Sequence, residues 1–393
     1  DAQGDTFSGV ERIIGSALDD TLAGDGANNT LEGGVGADTL RGGAGDDTLL
    51  GGNDNDILEG GAGADVLTGG AGEDTVDYSG SDAGVNINLA TSSASGGHAT
   101  GDTFSSIERV TGSTFADTLA GDTGNNRLKG GDGGDILRGD DGDDILEGEA
   151  GADFLDGGLG ADVLDGGAGS DTADYTSSLA GVNVDLALGT ATGGAANGDT
   201  LISIENVTGS AQADTLAGNA SDNVLNGADG ADILLGAAGN DTLLGGAGND
   251  ILTGGAGADA LDGGADTDTA SYAGSSSAVT VSLATGTGTG GDADGDTLTG
   301  IENLTGSTLD DTLIGDAGVN TLTGGAGNDT LRGGGGADVL DGGTGLDVVD
   351  YTGSLVAVTV NIGTGTATGG DADGDTLTSI EGAIGSDNDD TLI

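Results

Sequence analysis

The 393-residue chain carries 68 Asp and Glu against 7 Lys and Arg, a formal charge of −61, with 88 glycines and no Pro, Cys, Met or Trp. That charge repels nucleic acid and anionic membrane and favours cations, and the absence of Cys removes disulfides and thiolate metal sites, leaving oxygen ligands and hard cations such as Ca²⁺. No apolar run reaches the ~18 residues of a membrane span, so no membrane insertion is expected, and the few large side chains bury too little to offset the entropy of ordering the backbone without outside help.

In chain order, residues 1–14 read as the end of a segment that recurs later. The tripeptide Gly-Asp-Thr, followed by Phe or Leu, starts at Gly4, Gly101, Gly198, Gly295 and Gly374, at intervals of 97, 97, 97 and 79 residues. Between these marks run nonapeptides such as Gly33-Gly-Val-Gly-Ala-Asp38-Thr-Leu40-Arg. They form blocks of seven (15–77, 112–174 and 209–271), one of five (306–350) and one truncated unit (385–393), 27 in all. The expected modules are therefore 15–111, 112–208, 209–305 and 306–384, with the start of a fifth at 385–393. The fourth is shorter by two nonapeptides together, which implies that two of them make one structural turn.

Each nonapeptide position has a physical reason. Every unit begins with Gly and most carry Gly at the fourth position, where a tight loop needs positive φ. The sixth position is Asp or Asn in all units and the eighth is Leu in 23 of them, pointing inward from a three-residue strand. The exceptions, Val76, Ala173, Ala270 and Val349, each stand two residues before one of the only tyrosines, Tyr78, Tyr175, Tyr272 and Tyr351; a small core residue beside a large ring reads as compensating volumes. The intervening segments (78–111 in the first module) hold a period-two run, Val85-Asn-Ile87-Asn-Leu89, and a patch at Phe104, Ile107 and Glu108, with counterparts in the later modules. They are expected to continue the solenoid with wider turns, their Gly/Thr-rich middles, such as Gly286–Gly290, reading as linkers.

These units match G-G-x-G-x-D-x-U-x and resemble the RTX, or hemolysin-type calcium-binding, repeat. The resemblance implies an all-β fold, a Ca²⁺-loaded parallel β-roll (β-helix) solenoid with 18 residues per turn. It also implies that ions are shared between units n and n+2 through the sixth-position carboxylates and backbone carbonyls. The expected metal ligands are Asp38, Asp47, Asp56, Asp65 and Asp74; Asp135, Asp144, Asp153, Asp162 and Asp171; Asp232, Asp241, Asp250, Asp259 and Asp268; and Asp329, Asp338 and Asp347. The second unit of each complete block has Asn instead (Asn29, Asn126, Asn223, Asn320), an uncharged ligand, so weaker or absent sites are expected there. Sharing allows five sites per seven-unit block and three in the block of five, roughly 18 ions or more if the intervening segments also bind, with about +36 of charge from the 18.

No catalytic constellation is expected, and no cofactor besides Ca²⁺. The lone His98 replaces Ala195, Asp292 and Asp371 of the other modules and reads as a surface variant; matches to G-x-G-x-x-G follow from Gly abundance alone and open no helix. The run Asp292-Ala-Asp294-Gly-Asp296 reads as a solvated loop over a further cation site. The expected function is a non-enzymatic extracellular structural protein: a rod, adhesin stalk, surface-layer or filament component. It would be secreted or displayed at a bacterial cell surface, and by resemblance exported through a type I system. The alternative is the calcium-dependent folding and export domain of a secreted hydrolase or toxin. Because 1–14 and 374–393 are fragments of a module, head-to-tail self-association or continuation in a longer array is also expected.

Overall fold

The computed structural model describes residues 9–393, so the Gly-Asp-Thr motif at Gly4 lies outside the described residues. They divide into two units: the first runs to Ser177 and includes Gly189–Ile204, the second comprises Ser178–Leu188 and Glu205–Ile393. Among the described residues there are strands and four short 3₁₀ turns but no α-helix, and no helix is long and apolar enough to cross a membrane.

Each unit is a parallel β-roll solenoid, and its register follows from the nonapeptide. In the first unit Thr21–Ala23, Thr39–Ala44, Ile57–Ala62 and Thr75–Asp77 stack in one sheet. Arg12–Ile14, Thr30–Val35, Thr48–Asn53 and Val66–Ala71 stack in another. Odd and even nonapeptides thus alternate between two sheets, and pairing advances 18 residues at a time, as in Leu40↔Leu58 and Leu31↔Leu49. The second unit repeats the arrangement, with Leu216↔Leu234↔Leu252 and Leu225↔Leu243↔Leu261. Two nonapeptides make one turn, as the shortened module implies.

The eighth-position leucines form the core; Leu31, Leu40, Leu49, Leu58 and Leu67 are fully buried, each worth about 1.5–3 kcal/mol. One expectation needs correcting. Many strands have six residues, as in Thr39–Ala44 with Leu40 and Gly42 both buried, because the pairing runs on through the next unit's first three residues, Gly42–Ala44, before the chain turns.

The intervening segments continue the sheets. Thr103–Ser105 adds to Val66–Thr68 with Phe104 opposite Leu67, and Arg109–Thr111 lies between Thr75–Asp77 and Arg127–Lys129 with Val110 opposite Val76 and Leu128. The period-two run gives Asn86–Asn88, with Ile87 buried, pairing parallel to Thr118–Ala120. The middles are ordered, against the linker reading: Ser93–Ser95 pairs antiparallel with Asn86–Asn88, and Thr287–Thr289 with Thr280–Ser282. These short hairpins let the chain leave the 18-residue period and rejoin it. Tyr78 is buried, its ring edge-on to Phe104 at 6.4 Å.

Candidate metal centre

The sixth-position aspartate stands two residues before the core leucine, so it falls inside the wall of the roll at the end of each loop. All eighteen aspartates expected as ligands are buried, none more than 2% exposed. Their Oδ1 atoms form a ladder in which each accepts the backbone N–H of the sixth residue one turn earlier, at 2.6–2.9 Å: Asp38 from Asp20, Asp56 from Asp38, Asp74 from Asp56, and likewise through Asp171, Asp268 and Asp347. One oxygen per carboxylate thus holds the turns together.

The other oxygen is open. Oδ2 of Asp38, Asp47, Asp56, Asp65 and Asp74, of Asp135, Asp144, Asp153 and Asp162, of Asp232, Asp241, Asp250, Asp259 and Asp268, and of Asp329, Asp338 and Asp347 is buried with no hydrogen-bond partner. A buried ionised oxygen with no donor costs several kcal/mol. Each faces the α-carbon of its unit's first glycine. A side chain at Gly33, Gly42 or Gly51 would overlap both that Oδ2 and the first-glycine carbonyl oxygen of the next turn, Gly51, Gly60 or Gly69. The cradle is thus lined by a carboxylate oxygen and a main-chain carbonyl and is kept open by the missing Cβ. Among the described residues no three His, Cys, Asp or Glu side chains cluster as a metal-holding group; the open carboxylate oxygens are spread one per nonapeptide, and carbonyls make up the rest of the lining.

Burial raises the carboxyls of many of these aspartates. It pushes Asp65, Asp135, Asp144 and Asp232 up to about 7 and Asp56, Asp162, Asp268, Asp329 and Asp338 up to about 6, with neighbouring carboxylates adding to the rise in most and the ladder N–H opposing it. Asp47, Asp74, Asp153, Asp241, Asp250 and Asp259 are raised by the same burial.

The first two nonapeptides of a block differ, and the cause lies at their second position. In the first, Ser113 donates its N–H to Oδ2 of Asp117 and its hydroxyl to Oδ1, which also takes the Val85 N–H; Ser210/Asp214/Val182 and Ser307/Asp311/Val279 repeat this. In the second, Oδ1 of Asn29, Asn126, Asn223 and Asn320 accepts the N–H of the second residue while Nδ2 donates to a carbonyl one turn earlier. From the third nonapeptide onward the second residue has positive φ, as at Gly34 (117°) and Gly52 (129°), and makes no bond to the carboxylate. Four non-glycine residues, Asp140, Glu149, Ala228 and Ala237, adopt that conformation too.

Two carboxylate sets were missed as parts of this ladder. Asp102, Asp199, Asp296 and Asp375 of the Gly-Asp-Thr motifs accept the N–H of Asp65, Asp162, Asp259 and Asp338. Their second oxygens accept the hydroxyls of Tyr78, Tyr175, Tyr272 and Tyr351 at 2.7–3.1 Å. Glu108, Glu302 and Glu381 accept the N–H of Asp74, Asp268 and Asp347. The legible signal was position: Asp102 precedes the core residue Phe104 by two, as Asp38 precedes Leu40. In the run 292–296, Asp296 is buried in such a pair while Asp294 is exposed, so its three carboxylates do not act together.

A family model described as the RTX calcium-binding nonapeptide repeat (4 copies) matches residues 14–49, 50–82, 111–146, 138–173, 208–243, 235–270, 296–331 and 314–349. No curated protein matches the chain in a sequence search.

Proposed function

Given that the chain belongs to the RTX calcium-binding nonapeptide repeat family, whose model covers more than half of it, we propose that it is a non-enzymatic extracellular structural protein, an adhesin stalk, surface-layer or filament component, that folds on Ca²⁺ after secretion. The observation that carries this reading is the run of buried carboxylate oxygens with no donor. Bound Ca²⁺ supplies positive charge to oxygens that have none. The sixth-position aspartates, from Asp38 to Asp347, would hold it with the first-glycine carbonyls. The donor set is all oxygen, which suits a hard, loosely directional cation.

The chain's residues do the rest. Oδ1 fixes the spacing of successive turns, the glycines leave room beside Oδ2, and the leucines close the interior. In a calcium-poor interior the −61 chain repels itself, which keeps it unfolded for export, and outside the cell about 18 ions offset over half of that charge. The family match points to no catalytic family, and a ladder of structural carboxylates needs none. Equilibrium dialysis at millimolar calcium tests the reading. About 18 tightly held ions per chain, with the protein recovered outside the cells that make it, is the expected result; a chain that stays cytoplasmic, or one that binds only a few ions, would refute it.

A further inference from the structure

We propose that Glu108, Glu302 and Glu381 each complete a terminal Ca²⁺ site, extending the carboxylate ladder beyond the nonapeptides into the intervening segment. This rests on the calcium reading of the ladder and adds ligands outside the repeat.

The last aspartates of three blocks, Asp74, Asp268 and Asp347, are fully buried and have an Oδ2 with no hydrogen-bond partner. No further nonapeptide follows to finish their cradles. The intervening segment rebuilds both missing parts. Val110 pairs with Val76, so Glu108 falls opposite Asp74 at the sixth-position register, and its Oε2 accepts the Asp74 N–H at 2.9 Å; Glu302 and Glu381 do the same for Asp268 and Asp347 at 2.9 Å. The carbonyl is rebuilt as well. A side chain at Gly69 would overlap the Ser106 carbonyl oxygen and Asp74 Oδ2, and one at Gly263 would overlap the Gly300 carbonyl oxygen and Asp268 Oδ2. Within the repeats that position is filled by the next first-glycine carbonyl. Ser106, Gly300 and Ser379 turn their carbonyls there with φ of 53°, 60° and 52°.

The choice of Glu follows from chain length. From Phe104 to Val110 is six residues, against nine between core residues within a block. The carboxylate starts from a shorter loop, and one more methylene lets it reach the ladder. Its Oε1 stays available, and among the described residues none of the three glutamates is in an ion pair. The other edge of the roll ends differently: the second oxygen of Asp102 already takes the Tyr78 hydroxyl, so that edge is closed by a proton donor.

Calcium binding by E108Q/E302Q/E381Q and by the corresponding triple alanine variant, each read beside the wild-type chain by equilibrium dialysis, tests the proposal. Glutamine keeps an oxygen for the Asp74 N–H and removes only charge. The expected result is three sites lost or weakened about tenfold in the glutamine variant, with the rest of the isotherm unchanged; the single variant E108Q should lose one. A glutamine variant that binds like wild type, with loss only in the alanine variant, assigns the glutamates a purely structural role and overturns the proposal. A wild-type chain that binds no calcium would instead sink the ladder reading on which it rests.

Discussion

Replacing Asp56 with Asn separates the two jobs of a ladder aspartate. Asn preserves the side-chain volume and the oxygen that accepts the Asp38 N–H at 2.7 Å, and it replaces the open Oδ2 with an amide that can donate to the Gly69 carbonyl oxygen lining the same cradle. The turn stays tied while, on the proposed reading, the cation loses its charged ligand. For a site with Kd ~10⁻⁴ M, 1 mM calcium contributes RT ln(1 + 10), about 1.4 kcal/mol, and each further tenfold rise adds about 1.4 kcal/mol. Urea unfolding of wild type and D56N at 0.1, 1 and 10 mM calcium should therefore give stabilities that diverge, by about 1.0 kcal/mol over the first decade and about 1.3 kcal/mol over the second for each ion lost. Asp117→Asn is the control. The Asp117 oxygens are already occupied by Ser113 and Val85, so its cost, about 1–3 kcal/mol, should not vary with calcium. A constant offset for D56N across the three concentrations would refute its role as a ligand.

Tyr78→Phe leaves the second oxygen of Asp102 buried without its donor and should cost about 1–3 kcal/mol in urea unfolding with calcium present; no measurable loss would mean that the ring alone closes that edge. Ala237→Gly should stabilise by about 1 kcal/mol, because Ala237 is held at φ 81° where a Cβ is strained, and its thermal midpoint checks this. The pH dependence has opposite signs with and without calcium. Burial lifts Asp65, Asp135, Asp144 and Asp232 from 3.8 to about 7. The calcium-free fold therefore holds these protons more tightly than the unfolded chain. Its stability from them is fully present below about pH 4 and is lost as pH rises through 6 to 7. On the proposed calcium reading protons and calcium compete for the same oxygens, so apparent calcium affinity should fall as pH drops from 7 to 5. Calcium-free protein that gains stability from pH 5 to 8 would contradict these assignments.

Legibility followed the period. Within the blocks every ninth residue repeats its chemistry, so the Leu column and the 18-residue pairing could be read from the sequence; so could the positions of the buried aspartates. In the intervening segments the same functions recur at spacings of 37 and 34 residues, as from Asp65 to Asp102 and Asp74 to Glu108, and no fixed period finds them. What persists is local: a carboxylate two residues before a core residue, in Asp102-Thr-Phe104 and in Glu108-Arg-Val110. The tyrosines could be placed in the core, but their hydroxyl bonds reach 24 residues along the chain and depend on how the hairpin folds back. That hairpin was illegible because Ser93-Ala-Ser95 has little apolar contrast. The filled carboxylates of the first nonapeptides had a sequence mark, Ser at the second loop position, whose meaning appears only once its N–H is seen on the aspartate.

On the calcium reading, the open oxygens make the fold depend on a cation. Circular dichroism of the chelated protein at neutral pH, followed as calcium is raised to millimolar levels, tests that dependence. The expected result is a disordered spectrum that converts cooperatively to β-structure as calcium is added and reverts with chelator. A full β spectrum that persists in excess chelator would mean that the fold stands without the cation.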